Sequence, residues 1–169
     1  MKGDGDATEQ LFHLCAADLT RWVSRVVLGS DDAQDIVQDT FVTAFTQLKS
    51  LKQPEAFRGW LRTIALTQVR RRFRKQRLLR RLGFSDAEPV ELESLISEDA
   101  PPEVVAEVRQ VATLLRQLPT DEALALVLRR VEGYRLEEIA EQLGLSLATV
   151  KRRLTAAEQH FHALQEAQS

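Results

Sequence analysis

Between residues 33 and 48 the positions Ala33, Ile36, Val37, Thr40, Phe41, Ala44, Phe45 and Leu48 recur at the i, i+3, i+4, i+7 spacing of a helix buried along one face. A strand cannot use that stripe, because its side chains alternate with a period of two. The same spacing returns elsewhere. Leu11, Leu14, Cys15, Trp22 and Val26 predict a helix from about Thr8 to Leu28, ended by Gly29. Ser30 or Asp31 then caps the next helix. Pro54 opens a short turn, and Glu55 to about Leu82 reads as one or two helices with Phe57, Trp60, Leu61, Ile64, Ala65 and Val69 inward. Long β-branched runs are scarce and aromatic residues make up 6% of the chain, so an all-α fold is expected.

At 169 residues the chain can form one domain or two small ones, and the punctuation favours two. Residues 83–103 contain Gly83, Pro89, Pro101 and Pro102, and their acids follow no amphipathic pattern, which reads as an acidic linker. One apolar cluster in it, Leu92 to Ile96, reads as a short helix or a contact segment. The expected units are therefore a helical domain over 1–82, the linker over 83–103 and a second helical domain over 104–169. In the second, Val104 to Leu118 is amphipathic and stops at Pro119. Thr120 or Asp121 caps a helix running to Glu132, Leu136 to Leu143 is a short helix ended by Gly144, and Ser146 caps a last one to about Ala167.

The net charge of −2 conceals strong segregation. Residues 58–81 carry 10 basic and no acidic side chains, while residues 82–103 carry 7 acidic and no basic ones. Arg70 to Arg74 alone covers most of a helix circumference, so this helix needs polyanion, acidic protein or water around it. Trp60 and Phe73 add aromatic surface able to stack on unpaired bases. On the preceding helix, Asp35, Gln38 and Asp39 form a small acidic face opposite the apolar stripe, suited to a basic partner or to plain solvent.

The segment Arg135-Leu-Glu-Glu-Ile-Ala-Glu-Gln-Leu-Gly-Leu-Ser-Leu-Ala-Thr-Val-Lys-Arg-Arg-Leu154 has the chemistry of a helix-turn-helix. Ala140 is small where two helices cross, Gly144 supplies a positive φ in the turn, and Ile139, Leu143, Leu145, Val150 and Leu154 form the apolar corner. On the last helix Val150, Leu154, Ala157 and Phe161 share one face. Ala148, Arg152, Thr155 and Gln159 lie opposite, with Thr149, Lys151 and Arg153 on the flanks. Arg152 is the candidate base reader, because its fork matches guanine. Lys151 and Arg153 are candidate phosphate contacts. The plain alternative is an α-hairpin with solvated cations.

Other chemistry is thin. A single cysteine, Cys15, excludes an internal disulfide and a cysteine-based zinc site. His13 and Cys15, or His160 and His162, do not form a catalytic constellation, and no Gly-rich phosphate loop or nucleophile elbow appears. No enzyme activity, cofactor or metal is expected. No apolar run approaches the roughly 18 residues of a membrane span, and Met1 to Thr8 has no apolar signal region. A cytoplasmic protein without membrane insertion is expected.

Taken together these residues resemble the bacterial RNA polymerase sigma factors, in particular the small extracytoplasmic-function (ECF) group. Asp32-Ala-Gln-Asp-Ile-Val-Gln-Asp-Thr-Phe-Val-Thr-Ala-Phe45 is similar to the family's core-polymerase-binding helix. Phe57-Arg-Gly-Trp-Leu-Arg-Thr-Ile-Ala65, leading into the arginine cluster, is similar to its −10 and strand-opening segment. Leu118-Pro119, Leu128 to Gly133, Glu138-Ile-Ala140 and Thr149-Val-Lys151 resemble its second domain. The resemblance implies core RNA polymerase and promoter DNA as partners, with an anti-sigma factor as a possible third. It implies polymerase docking by Asp35, Gln38 and Asp39. It assigns −10 contacts to Trp60, Arg62, Thr63, Arg70 and Arg72, and −35 contacts to Thr149, Lys151, Arg152 and Arg153. The rival reading is a polymerase-independent helix-turn-helix regulator.

The sequence also departs from the family pattern. Leu66, Thr67, Gln68 and Val69 follow Ala65, where members often carry Asn and Asp, so a −10 preference does not carry over. The stretch Thr155-Ala-Ala-Glu-Gln-His160 replaces an Arg-rich one, which predicts weak binding of the second domain to DNA on its own. Arg152 stands where Ser is common, which implies a shifted −35 preference.

Overall fold

The computed structural model describes residues 3–28, 32–84, 96 and 99–167. These residues form α1 (Gly3–Val26), α2 (Ala33–Gln47), α3 (Phe57–Arg81), α4 (Pro102–Gln117), α5 (Thr120–Arg130), α6 (Leu136–Leu143) and α7 (Leu147–Glu166), with no strand among them. Two single 3-10 turns, Leu48–Ser50 and Pro54–Ala56, lead from α2 to α3. The fold is all-α, with two small helical bundles.

In the first bundle α2 packs against both α1 and α3. Its buried residues Ala33, Ile36, Val37, Thr40, Phe41 and Ala44 belong to the predicted stripe, whose last members Phe45 and Leu48 are half-buried. They meet Trp22, Val23 and Val26 of α1 and Leu61, Ile64, Ala65 and Val69 of α3, all buried. Thr40 is tolerated there because its hydroxyl donates to the Ile36 carbonyl at 2.6 Å. The segment from Glu55 is a 3-10 turn followed by one long helix. Trp60 is half-buried rather than a full core residue. The expected helix stop Gly29 and caps Ser30 and Asp31 lie outside the described residues. The described neighbour Asp32 is buried and accepts hydrogen bonds from Arg72 and Gln76, which ties the start of α2 to the middle of α3.

In the second bundle α5 is the central helix, with every residue from Glu122 to Leu128 buried. A helix this apolar around its circumference needs partners on all sides, and it touches α1, α3, α4, α6 and α7. Its boundaries differ slightly from expectation. Thr120 is its first residue and Pro119 its cap, because proline's fixed φ suits the position before the first turn. It stops at Arg130, and the chain turns through Gly133 at φ +72°.

The helix-turn-helix forms as predicted. The Arg135 backbone N–H donates to the Glu138 carboxylate at 2.6 Å, closing the start of α6. Gly144 ends α6 in the left-handed region at φ +62°. Ser146 caps α7, its hydroxyl accepting from the Thr149 N–H at 3.2 Å. Ile139, Leu143, Val150, Leu154 and Ala157 are buried at the corner. Of the segment Leu92 to Ile96, expected to be a short helix or a contact segment, only Ile96 is among the described residues, and it is half-buried.

The two bundles do not stand apart. Their buried residues join in one hydrophobic cluster, through contacts of α5 with α1 and α3 and of α6 with α3.

Candidate nucleic-acid interface

The outward face of α7 is open. Ala148, Lys151, Arg152, Arg153, Thr155 and Gln159 are exposed and Thr149 is half-buried. The first turn is fixed by the Ser146 cap, whose hydroxyl also lies 2.8 Å from the Thr149 hydroxyl. Arg152 donates to the Thr149 hydroxyl at 3.4 Å, a long bond within its own helix that leaves most of its fork available. Arg153 is less free: its guanidinium lies 3.7 Å from Glu122, a buried carboxylate at the start of α5. His160 donates to the other oxygen of Glu122 at 2.7 Å. Glu122 thus binds two residues of α7 to the central helix. Sequence reading missed this role, because nothing in a run of helix-forming residues distinguishes a buried Glu from a solvated one.

Helix α3 carries the cationic face, and the structure divides it. Arg71, Arg74, Lys75 and Arg77 are exposed to solvent. Arg72, expected to contact DNA, donates to the buried Asp32 and lies 3.9 Å from Asp35. Arg62 sits over the Trp22 ring, 5.3 Å from its centroid, and donates to the Tyr134 hydroxyl at 3.0 Å. The Thr63 hydroxyl donates to the Gln142 side-chain carbonyl at 3.2 Å. Arg70 donates to the Leu143 carbonyl at the end of α6, at 3.2 and 3.3 Å, and its Nε lies 2.8 Å from Asp121. Cations are favoured at such a helix C-terminus, where the carbonyls have no intrahelical partner. Arg74 approaches the same carboxylate at 3.7 Å.

These contacts bring Arg62, Thr63 and Arg70 together against α5, α6 and the turn between them. Another closes the other side. Arg25 of α1 donates through Nε and Nη2 to the two oxygens of Glu132, at 2.6 and 3.1 Å. That hydrogen bond is the main cause holding the Arg25 guanidinium above its usual range, against the opposing effect of burial. Sequence reading singled out none of Arg25, Tyr134 or Gln142 as partners of this surface, and it treated Asp121 only as a cap. The available signal was the excess of arginine on α3, which demanded acids from somewhere.

On α2, Asp35, Gln38 and Asp39 share one exposed face, as their spacing requires. Gln38 also lines a groove of about 490 Å³ between α1 and α2 with Phe12, Phe41, Val42 and Phe45. Phe12 and Val42 are exposed large apolar residues. Of the three candidate docking residues, Gln38 therefore borders an apolar groove, a feature the stripe of α2 did not reveal because Val42 falls outside it. No group of side chains suited to a metal ion occurs among the described residues. No described helix is long and apolar enough to cross a membrane.

Comparison with known proteins places these features in order. Residues 11–78 match the family Sigma-70 region 2, and residues 109–161 match Sigma-70, region 4. The chain is 35% identical over 144 residues to the RNA polymerase sigma factor CnrH of Cupriavidus metallidurans, covering 82% of this chain and 75% of that one. It is 32% identical over 165 residues to the ECF RNA polymerase sigma-E factor of Escherichia coli, covering 92% and 85%. Among solved structures, CnrH in complex with the cytosolic domain of CnrY superposes with a TM-score of 0.60 at 28% identity, covering 99% of this chain and 93% of that one. The sigma factor RpoE of Bartonella quintana in complex with the anti-sigma factor NepR shares the fold, with a TM-score of 0.67 at 22% identity and coverage of 94% and 96%. A polymerase-independent regulator explains neither the region 2 match nor its pairing with region 4. The region 2 match precedes the region 4 match along one chain that its relatives cover for most of its length, and the chain belongs to the ECF group of RNA polymerase sigma factors.

Proposed function

We propose a division of labour within this sigma factor, which binds core RNA polymerase and promoter DNA and directs transcription initiation. Residues 1–82 form the unit that docks on polymerase and engages the −10 element. Residues 104–169 form the unit that engages the −35 element, and 83–103 join them. Asp35, Gln38 and Asp39 carry the docking, with the adjoining groove receiving an apolar side chain of a basic partner surface. Trp60, Arg62, Thr63 and Arg70 serve the −10 element and the opened strand, where cations and aromatic faces offset the few kcal/mol that unstacking a base costs. Arg72 contributes there by positioning α3 through Asp32 rather than by reaching DNA first. Thr149, Lys151, Arg152 and Arg153 serve the −35 element, with Arg152 reading a base edge and its neighbours holding phosphates.

The observation that carries this reading is the succession of the region 2 and region 4 matches along one short chain. The protein acts by binding, without catalysis of its own, in the cytoplasm. An anti-sigma factor is its expected inhibitor, since the two superposed relatives are each seen bound to one or to a partner's cytosolic domain. Binding to purified core polymerase, followed by fluorescence anisotropy at about 0.15 M salt where exposed charges are already screened, tests the docking face. The double reversal Asp35→Lys/Asp39→Lys should weaken binding at least about tenfold, as expected for like charges set against a basic surface. Both side chains are exposed, so the helical circular dichroism should not change. Unchanged polymerase affinity in that variant would move the docking face elsewhere.

A further inference from the structure

Glu122 belongs to neither the polymerase-docking face nor the −10 face, yet it is a carboxylate whose side chain is only 6% exposed. Burying an acid without a counter-charge is costly. Here the counter-charge comes from α7. Arg153 and His160 lie seven residues apart, two turns along one face of that helix. Each meets a different oxygen of Glu122.

The two contacts differ in kind. The Arg153 guanidinium stands 3.7 Å from Oε1, beyond hydrogen-bonding distance, and its side chain is 44% exposed. It is held by charge alone and can turn outward. His160 Nδ1 donates to Oε2 at 2.7 Å, while 55% of the side chain stays exposed, so the ring can exchange a proton with water. The hydrogen bond forms whether the ring is neutral or protonated, because Nδ1 carries hydrogen in both cases. Only the protonated ring supplies a charge. Helix α7 packs against α4, α5 and α6. On α5, Arg130 pairs with Glu158 of α7, Asp121 pairs with Arg70 and Arg74, and Arg129 donates to the Tyr134 carbonyl. Glu137, Glu138 and Glu141 lie on α6, and Glu103, Glu107, Arg109 and Arg116 on α4. His162 follows on α7 itself, its ring edge-on to Phe161. Among the described residues, Glu122 is the one acid within ion-pair distance of His160.

We infer that His160 is a positioning residue for the −35 contact: it takes up a proton from solvent when Arg153 leaves Glu122 for a DNA phosphate, and so keeps the buried carboxylate paired. A neutral His160 leaves Glu122 hydrogen-bonded but without a counter-charge, which holds Arg153 back. A protonated His160 releases it. The DNA-bound state therefore holds the His160 proton more tightly than the free state does. By linkage, binding strengthens as pH falls through the range in which histidine side chains become charged. This exchange rests on the assignment of Arg153 to a −35 phosphate.

The test uses holoenzyme reconstituted from core polymerase and the full chain. The probe is a fluorescein-labelled promoter duplex, the one the wild type binds best from a library randomised across the −35 element. Anisotropy is measured at pH 8 and pH 6, on either side of the usual histidine range. His160→Gln keeps a donor for Glu122 but cannot become charged, so it is the reference for groups that titrate elsewhere in the complex. Relative to it, the wild type should gain about three- to fivefold in affinity between pH 8 and pH 6, the worth of a partly exposed charge partner. His162→Gln should keep that gain. Arg153→Ala, measured against Arg153→Ala/His160→Gln, should lose the gain, whereas a His160 that itself touched DNA would keep it. Glu122→Gln should bind at pH 8 about as tightly as the wild type does at pH 6. A wild type with no gain over His160→Gln, or a gain that survives Arg153→Ala, overturns the exchange. If Glu122→Gln loses helical circular dichroism, the substitutions at the exposed Arg153, His160 and His162 still decide the matter. Arg153→Ala holoenzyme that binds as tightly as the wild type at both pH values would instead refute the −35 assignment of Arg153, and the exchange with it.

Discussion

Truncating Arg152 to alanine separates folding from recognition more cleanly than any other single change in this molecule. In the structure Arg152 is exposed, and its hydrogen bond to the Thr149 hydroxyl is 3.4 Å long. Removing a surface side chain with so little attachment should alter stability by no more than about 0.5 kcal/mol. A bidentate contact to a base edge contributes about 1–3 kcal/mol of discrimination, so losing it should cost roughly 5- to 150-fold at the preferred base pair. The assay is run-off transcription by the reconstituted holoenzyme on a promoter library randomised across the −35 element. For Arg152→Ala we expect the preference to flatten at one base pair while the salt dependence stays nearly constant. Arg153→Ala should do the opposite, weakening all sequences alike. Its effect on the salt slope should be smaller than that of Lys151→Ala, because Glu122 already lies 3.7 Å from the Arg153 guanidinium. If Arg152→Ala keeps the wild-type base preference, Arg152 is not the reader and the face assigned to the −35 element has been turned wrongly.

Two further substitutions probe the scaffold. Gly144→Ala places a side chain at φ +62°, yet a Cβ there would meet nothing within 4 Å, so the cost is backbone strain alone. That predicts about 1–2 kcal/mol and a fall in Tm of several degrees by calorimetry; an unchanged Tm would mean that the turn relaxes freely. Asp32→Ala removes a buried carboxylate that holds both Arg72 and Gln76. A loss of about 2–4 kcal/mol by urea titration is expected, since hydrogen bonds to a charged group contribute about 1.5–3 kcal/mol and Arg72, half-buried, recovers part of its hydration. A loss under 1 kcal/mol would show that Arg72 is not a positioning residue.

Legibility differed sharply between kinds of feature. The stripe of α2, the cap at Ser146, the turn at Gly144 and the apolar corner of the helix-turn-helix were all readable, because each is set by neighbours within a few residues along the chain. The exposed face of α7 followed from the same geometry, and Ala148, Arg152, Thr155 and Gln159 lie where a period of 3.6 puts them. The arginine surplus of α3 was readable as a demand for negative charge. Its satisfaction was not, since Asp32 is 40 residues from Arg72 and nothing local marks it among the acids of that region. Trp60 illustrates the middle ground: its place on the inward side was right, but packing left it half-covered.

By itself, then, the sequence determined an all-α chain in two bundles, the position of the helix-turn-helix and the family to which the chain belongs. Those properties rest on hydrophobic periodicity, turn chemistry and motif order, which are local. Only the tertiary structure decided which cations are free. It gave Arg72 to Asp32, Arg153 in part to Glu122, and Arg62 and Arg70 to the second bundle, while leaving Arg152 and Lys151 in solvent. The Arg25–Glu132 pair joins residues 107 positions apart. Such pairings depend on where two helices come to rest in space, and the burial of apolar faces such as Leu66 sets that position, with no pattern along the chain to announce it.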